Sequence, residues 1–407
     1  MNLFQKCSLP LLLCAGGIAF APAGAGAADE RDATKDRVKE IVAKLPEAPM
    51  RAQGGAKLVL SGLAAASVGG LPVEEAFLPL RLGEVKPEGW LRAGLERDLT
   101  SGYAGHLDEL LRDPHSKKYL LRPENNDYVT RANNRESRHD DAGLANPPGQ
   151  RSWWDAEMIG DWHDSLIRAA YLTGEPAARA KADRFVEAIL ESQDDDGYIG
   201  IYPKGYRFHF SGDDGELWSQ RCVLLGLLAY YEFTDRQDVL EAVQRSVKLT
   251  IGQYGDGKRN YFDNPRQGGS GVSHGLMYVD VLEWLYRLTR DDAYRRAALS
   301  LYDDYSLARH VKVKDAQLAR LLDPKVPLSG HGPDVMGFLR VPLLSYYLSG
   351  KEDYRKAWGN AFRKTEHHLG AGGSPLSGQG EEIKETGQMP DMHYEYCSTF
   401  YLIHSLV

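Results

Sequence analysis

The sequence lacks the features that define several common classes of protein. The 407-residue chain has no excess of basic residues and carries a net charge of −8, which argues against nucleic-acid binding because phosphate contacts need a basic surface. Four cysteines are too few for a disulfide scaffold. The apolar run at residues 9–20 is too short to form a stable membrane anchor.

Residues 1–28 have the pattern of a cleaved signal peptide. A positively charged start and the apolar run are followed by small residues that lead to a cleavage site near Ala27 or Ala28. We therefore predict a periplasmic or secreted protein that has no membrane contact after cleavage. Two of the four cysteines lie in this segment, so the mature protein would keep Cys222 and Cys397.

The rest of the chain divides into two segments. Residues 29–75 combine a charged helical stretch with a Gly- and Ala-rich part, which predicts an N-terminal helical or linker segment. Residues 76–407 are predicted to form one large domain. Within this domain, residues 113–152 are rich in Asn, Arg, Asp, Pro and Gly, and a loop of that length in a compact domain is usually functional or disordered. We expect it to form a rim over a pocket.

Four similar turns divide the second half of the chain. They begin at Leu172, Phe233, Leu288 and Leu348, at intervals of 61, 55 and 60 residues, and each contains a Thr or Ser whose oxygen can cap a helix. The helices before the turns are apolar on more than one face and should be buried on both sides. The helices after the turns carry charge on one face and should lie outside; they are predicted at residues 180–190, 239–251, 294–302 and 354–369.

This alternation of inner and outer helices predicts an all-α fold, a toroid of helical hairpins of the (α/α)6 type. A straight solenoid of helix pairs is the alternative, but it predicts shorter and more uniform repeats than these. Because the last helix runs to Val407 without an outer partner, we expect the toroid to be incomplete at its C-terminal end.

Polar and aromatic residues gather where the predicted inner helices begin. One such cluster alone is more often a helix cap or a packing feature, but five in equivalent positions favour a shared pocket. The 22 tyrosines and 7 tryptophans suit sugar stacking as well as a helical core. The clusters contain Trp153, Trp154, Asp155, Glu157 and Asp161, then Glu216, Trp218 and Arg221, then Ser273 and His274, then His331 and Asp334, and finally Glu395 and Cys397.

Two acidic segments are candidates for chemistry. Residues 378–397 could supply the proton donor and the opposing group that glycoside hydrolysis needs. Glu395 and Cys397 could instead be two of the four ligands of a zinc site, and a solvated acidic loop is a third possibility. The loop at residues 193–200 lacks the spacing of an EF-hand, so we expect a turn that presents Tyr198 to the pocket.

Several short motifs carry a family resemblance. They are Trp154-Asp155, Gly160-Asp161-Trp162, the Gln and Asp-Gly-Tyr of residues 193–200, Glu216-Leu-Trp218, His331, Gly380-Glu381, Met389-Pro390 and Tyr394-Glu395-Tyr396-Cys397. Together they resemble the β-L-arabinofuranosidase family, glycoside hydrolase family 127, from about Phe77 onward. The resemblance implies an (α/α)6 catalytic barrel followed by β-sandwich domains, and a cysteine nucleophile held on zinc by one Glu and three Cys. It implies that Glu395 and Cys397 are zinc ligands and that Glu381 is the acid/base, with Glu382 as an alternative.

The chain departs from this family in two ways. The adjacent cysteine pair that provides the family's nucleophile does not follow Cys397 in this sequence. Arg221 also stands where many relatives have a sugar-binding histidine. The missing cysteines favour a catalytically inert, truncated sugar-binding remnant as the alternative for this particular chain.

The prediction from sequence is an exported glycoside hydrolase that releases a furanose such as L-arabinofuranose from plant-type oligosaccharides or polysaccharides, with retention. A metal-independent (α/α)6 glycosidase or uronyl hydrolase is the alternative enzyme, and zinc analysis would separate the two. The predicted site residues are the catalytic Glu381, the substrate-binding Trp154, Asp155, His274 and His331, and the zinc ligands Glu395 and Cys397.

Overall fold

The protein is an all-α toroid of helical hairpins, as the sequence predicts. The computed structural model describes residues 72–73, 80–112, 117, 121–123, 126–130, 150–208, 212–255, 257–263, 265, 267–268, 270–370, 373–377, 393–394 and 396–406. The predicted signal peptide lies outside these ranges, as do most of the N-terminal segment and most of the predicted rim loop. No helix within the described ranges is long and apolar enough to cross a membrane.

Short helices precede the repeats. α1 (Gly89–Ser101) and α2 (Tyr103–Leu110) form a hairpin that packs against α4 (Gln150–Thr173), the first inner helix. α3 (Asp127–Thr130) is a single turn that also packs on α4. These short helices therefore pack against the first inner helix of the ring.

Inner and outer helices alternate from α4 onward. The further inner helices are α6 (Glu216–Thr234), α8 (Ser270–His274), which continues through a 3-10 turn (Gly275–Tyr278) into α9 (Val279–Thr289), α12 (Gly332–Phe338) with α13 (Arg340–Ser349), and α15 (Tyr396–Leu406). The outer helices are α5 (Pro176–Glu191), α7 (Gln237–Ile251), α10 (Asp292–Leu307) and α14 (Glu352–Thr365), which a 3-10 turn (Glu366–His368) extends. The remaining described elements are α11 (Leu318–Leu322), the parallel strands β1 (Gly212–Asp213) and β2 (Gln267–Gly268), and the antiparallel strands β3 (Leu376–Ser377) and β4 (His393–Tyr394).

The burial of α6 explains why the inner helices are apolar on several faces. Every residue of α6 from Glu216 to Tyr231 is buried, because α4 packs on one side of it and α9 with its preceding 3-10 turn packs on the other. Gly160 allows α4 to approach α6 closely, since a Cβ atom there would lie 2.5 Å from the Cβ of Cys222. The outer helix α7 buries one face only, formed by Val239, Ala242, Val243, Ser246, Val247 and Thr250.

The four predicted turns share one hydrogen-bonding pattern, which is set by Thr173, Thr234, Thr289 and Ser349. Each hydroxyl donates to the carbonyl oxygen four residues earlier, at 2.6–2.8 Å, and accepts the N–H two residues later, at 3.2–3.5 Å. The hydroxyl therefore caps the end of the inner helix and also orders the linker. It does not cap the start of the outer helix.

The residue after each hydroxyl has a left-handed backbone and ends the inner helix. The φ angles lie between 55° and 78° at Gly174, Asp235, Arg290 and Gly350, and each N–H donates to the carbonyl four residues earlier. The next residue is extended and starts the outer helix, so each outer helix begins before the predicted residue. α5, for example, begins at Pro176, and the Glu175 carboxylate accepts the N–H of Ala178 at 2.5 Å.

Candidate functional site

Five inner helices contribute rings to one cluster. His274, the last residue of α8, lies 5.0 Å from Trp218 of α6 and 5.6 Å from Trp153 of α4, measured between ring centroids. His331, which immediately precedes α12, lies 6.3 Å from His274, and Tyr401 of α15 lies 6.1 Å from Trp218. These are distances of direct aromatic packing, so the inner helices deliver these side chains to a common centre.

Glycines admit the ring of Trp153 to this cluster. A Cβ atom at Gly271 would lie 2.9 Å from that ring and 2.6 Å from the backbone oxygen of Asp214. A Cβ atom at Gly215 would also contact the ring too closely. Because both positions lack a side chain, Trp153 is almost fully buried between α4, α6 and α8.

Three of the four residues predicted to bind substrate lie in or next to the cluster. His274 and His331 belong to it. Trp154 is 51 % exposed, and its ring meets the ring of Trp153 edge-on, with 5.6 Å between the centroids. The structure therefore places the two histidines inside the cluster and Trp154 at its edge. Asp155 follows Trp154 in sequence and is half-buried.

Glu157 connects α4 to α6. The indole Nε1 of Trp218 donates a hydrogen bond of 2.7 Å to the Glu157 carboxylate, which fixes the plane of the ring beside His274. Glu157 follows Trp153 by one helical turn, so the sequence predicts that both lie on the same face of α4. The sequence does not predict that Glu157 bonds Trp218 of α6.

Asp334 lies against His274 from the first turn of α12. It is fully buried, and its Oδ1 lies 3.0 Å from Nδ1 of His274. The two groups are not aligned as a hydrogen bond, so both oxygens of Asp334 lack an aligned donor. The contact places a carboxyl group behind the His274 ring, where it can orient the imidazole.

Three buried polar groups of the cluster have no hydrogen-bond partner within the described chain. They are the Trp153 indole nitrogen, Nδ1 of His331 and the Asp334 carboxyl. Buried polar groups are normally paired with protein or water. Their concentration around His274 indicates a place where a polar ligand or ordered water completes the hydrogen bonding.

A chain of charged side chains crosses the ring of inner helices next to the cluster. Arg221 of α6 donates to Asp280 of α9 at 2.9 Å, and Asp280 also accepts from Arg340 of α13 at 2.8 Å. Arg340 in turn lies 3.1 Å from Nε2 of His404 in α15. Arg221 therefore serves as the buried partner of Asp280, and its guanidinium lies 4.9 Å from the centroid of the Trp218 ring.

Asp161 of α4 extends this chain at the other end. Its carboxylate lies 4.0 Å from the Arg221 guanidinium. Desolvation, with the Glu157 and Asp164 carboxyls nearby, raises the pKa of Asp161 to about 7, although Arg221 opposes the shift. The sequence predicts Asp161 in the first polar cluster of the shared pocket, but Asp161 is not one of the predicted substrate-binding residues.

Glu216 and Tyr198 bond each other in the buried interior. The Tyr198 hydroxyl donates to the fully buried Glu216 carboxyl at 3.0 Å, and the Arg207 guanidinium lies 3.8 Å from the Tyr198 ring centroid. Burial, together with the nearby Asp214 carboxyl, raises the pKa of Glu216 to about 8. The loop at residues 193–200 thus anchors α6 and does not present Tyr198 to the pocket, because buried hydrogen bonds on α6 hold it.

Of the predicted catalytic and zinc residues, the structure describes Cys397. Glu381 and Glu395 lie outside the described residues. Cys397 is exposed at the start of α15, and the described ranges contain no group of three or more His, Cys, Asp or Glu that could hold a metal ion. Cys222 is buried, and desolvation raises the pKa of its thiol, which disfavours the thiolate that a nucleophile needs.

Comparisons with known proteins agree with this architecture. Residues 112–328 match the family model described as β-L-arabinofuranosidase, GH127 catalytic domain. The match ends before Glu381, so it does not include the predicted acid/base and zinc residues. No curated protein matches the sequence.

Two solved structures have a similar fold. The first is a GH127 β-L-arabinofuranosidase from Geobacillus stearothermophilus T6, with a TM-score of 0.55 and 15 % identity, over 79 % of this chain and 51 % of that one. The second is another GH127 β-arabinofuranosidase, with a TM-score of 0.57 and 15 % identity, over 81 % of this chain and 51 % of that one. The match therefore spans about half the length of these relatives.

Proposed function

The chain belongs to glycoside hydrolase family 127, the β-L-arabinofuranosidase family, and on that basis we propose that it releases L-arabinofuranose from plant-type glycans with retention. The observation that carries the proposal is the group of buried polar atoms around His274, among them the Trp153 indole nitrogen and Nδ1 of His331, that have no hydrogen-bond partner among the described residues. A sugar presents both the hydroxyl groups that would pair with these atoms and the C–H faces that pack on aromatic rings.

The cluster supplies both kinds of contact. The faces of Trp218 and Trp153 offer flat apolar surfaces beside the His274 ring, while Trp154 lies exposed at the edge where a glycan chain would enter. His331 and the Trp153 indole nitrogen offer polar atoms to hydroxyl groups. We assign the predicted substrate residues Trp154, His274 and His331 these roles; Asp155 would contact the sugar from the edge.

Glu381 is proposed as the acid/base. In retaining hydrolysis this carboxyl protonates the leaving oxygen and then removes a proton from the attacking water. Glu382 remains the alternative, because the two residues are adjacent. The assignment follows from the family resemblance, since both residues lie outside the described ranges.

The zinc site of the family does not fit the residues described. Glu395 and Cys397 supply at most two of the four ligands, and Cys222 is buried in α6 as a high-pKa thiol. We therefore assign no step of the reaction to zinc. The buried, high-pKa thiol of Cys222 is poorly suited to act as a nucleophile, and this favours a second candidate function, which is sugar binding without turnover.

The test is hydrolysis of p-nitrophenyl β-L-arabinofuranoside, combined with calorimetric binding of L-arabinose. Release of p-nitrophenol that Glu381→Gln abolishes and Glu382→Gln retains would support the enzyme. His274→Ala should raise KM much more than it lowers kcat. Binding that depends on His274 but gives no release would support the second candidate. If the protein neither releases p-nitrophenol nor binds L-arabinose, both candidate functions are refuted.

The export of the protein is part of the same proposal. A signal peptide over residues 1–28 would place the domain outside the cytoplasm, where plant-type polysaccharides are met. Mass spectrometry of the mature protein should give an N-terminus near Ala27 or Ala28. An uncleaved N-terminus in the exporting cell would contradict it.

A further inference from the structure

Asp161 is the accessible member of the charged chain that crosses the ring. Its side chain is 44 % exposed, whereas those of Arg221 and Asp280 are 4 % and 5 % exposed. The preceding and following residues, Gly160 and Trp162, are buried. An isolated exposed carboxyl in a buried stretch of an inner helix needs an explanation.

The exposed carboxyl faces the space enclosed by the inner helices, which we term the bore. The other sides of α4 are covered by α1, α2, α5 and α6, and Trp162 uses its indole nitrogen to bond Ala104 of α2 at 3.0 Å. The titratable groups near Asp161 belong to inner helices: Glu157 and Asp164 on α4, Arg221 and Cys222 on α6, and Tyr401 on α15.

Asp161 is not needed to neutralise Arg221. Asp280 already accepts two hydrogen bonds from the Arg221 guanidinium, at 2.9 Å and 3.3 Å, whereas Asp161 stays at 4.0 Å. The buried ion pair is therefore complete without Asp161, and its carboxyl oxygens are exposed to the bore one helical turn beyond Glu157.

We propose that Asp161 is a sugar-binding residue whose carboxylate accepts hydrogen bonds from hydroxyl groups of a sugar that reaches past Trp218 into the bore. The inference deepens the proposed function and rests on it, since the ligand is the same sugar. It adds a contact on α4 beyond the predicted substrate residues, deeper along the helix than Trp154 and Asp155.

The protonation of Asp161 supports this role. With a pKa of about 7, the carboxyl changes charge close to neutral pH, and a hydroxyl group donates more strongly to the ionised form. Sugar affinity should therefore rise as the pH increases from 6 to 8. The other groups near the site, His274, His331 and Asp334, are unchanged in an Asp161 variant and act as an internal reference.

The experiment is calorimetric titration of the full chain with methyl β-L-arabinofuranoside at pH 6, 7 and 8. Asp161→Asn should weaken binding at pH 8 by about tenfold or more, because a hydrogen bond to a charged group is lost, and should remove the rise in affinity with pH. Asp164→Asn is the matched control at pH 8, where Asp161 is mostly ionised in both proteins: Asp164 lies on the same helix but accepts from Arg168 at 2.7 Å, so the affinity of this variant at pH 8 should equal that of the wild type.

Each result has one meaning. Asp161→Asn should keep the wild-type melting temperature, because the Asp161 side chain is 44 % exposed and lies 4.0 Å from Arg221, so weaker binding cannot be ascribed to unfolding. If Asp161→Asn binds like the wild type while His274→Ala does not, the role of Asp161 is refuted and the proposed function stands. If the wild type binds no sugar at all, the proposed function is refuted and the inference falls with it.

Discussion

Asp280 holds together the charged chain that links four inner helices, and its removal should destabilise the whole ring. One oxygen accepts from Arg221 at 2.9 Å and the other from Arg340 at 2.8 Å. Arg221 is almost fully buried, so in Asp280→Asn the acidic group left to pair with its charge among the described residues would be Asp161, at 4.0 Å. Breaking a buried pair by removing one partner costs about 3–5 kcal/mol, and the exposed Asp161 compensates little of this.

Urea denaturation at pH 7 measures the effect. The free energy of unfolding of Asp280→Asn should fall by about 3 kcal/mol or more. Arg221→Met should lose less unfolding free energy than Asp280→Asn, because the methionine side chain is uncharged and needs no partner. The double variant should be more stable than the sum of the two single losses predicts. This account of the core is refuted if the stability lost by the double variant equals the sum of the two single losses within about 0.5 kcal/mol. It is also refuted if the urea midpoint of Asp280→Asn equals that of the wild type.

The same contact sets a pH dependence. Burial tends to raise the pKa of Asp280, but Arg340, His404 and Arg221 outweigh it, so the pKa is lowered in the folded protein. A carboxyl with a lowered pKa stabilises the fold above its unfolded pKa, and this contribution is lost as the pH falls towards the folded value. The wild type should therefore lose more stability on acidification below about pH 4 than Asp280→Asn does.

Three further predictions concern the fold. Arg290 has a φ of 58°, so Arg290→Gly should raise the free energy of unfolding by about 0.5–1 kcal/mol in urea denaturation. Gly350→Ala at the equivalent turn should lower it by about 1 kcal/mol. Changes of the same sign in the two variants would contradict the shared turn geometry. Glu216 has a pKa raised to about 8, so wild-type stability should fall from pH 5 to pH 8 and Glu216→Gln should reduce that slope, measured by thermal unfolding. Gly160→Ala would force a Cβ atom to within 2.5 Å of the Cys222 Cβ, and a loss of about 1–3 kcal/mol is expected; an unchanged melting temperature would mean that α4 and α6 are further apart.

The repeat architecture was predictable because its signal is local. A Thr or Ser followed by a residue that tolerates a left-handed backbone recurs at each turn, and the apolar helices before the turns differ visibly from the amphipathic helices after them. The starts of the outer helices were predicted a few residues late, since the capping residue Glu175 and its Pro176 neighbour precede the apolar positions on which the prediction relied.

The clustering of polar and aromatic side chains from the inner helices was predictable, but their contacts were not. The sequence placed His274 and His331 at inner-helix starts, and the structure brings their rings within 6.3 Å of each other. It could not reveal that Glu216 bonds Tyr198, because that contact depends on how the loop at residues 193–200 packs against α6. The role of Arg221 was equally hidden, since its partner Asp280 is 59 residues away.

A crystal structure of the protein with bound methyl β-L-arabinofuranoside tests the central claim most directly. The sugar should lie against the Trp218 ring and within hydrogen-bond distance of His274 and His331, and it should pair with the indole nitrogen of Trp153 or with the Asp334 carboxyl. A sugar bound on an outer helix would contradict the account. So would His274 and His331 lying on separate surfaces, with no cavity between the ends of the inner helices.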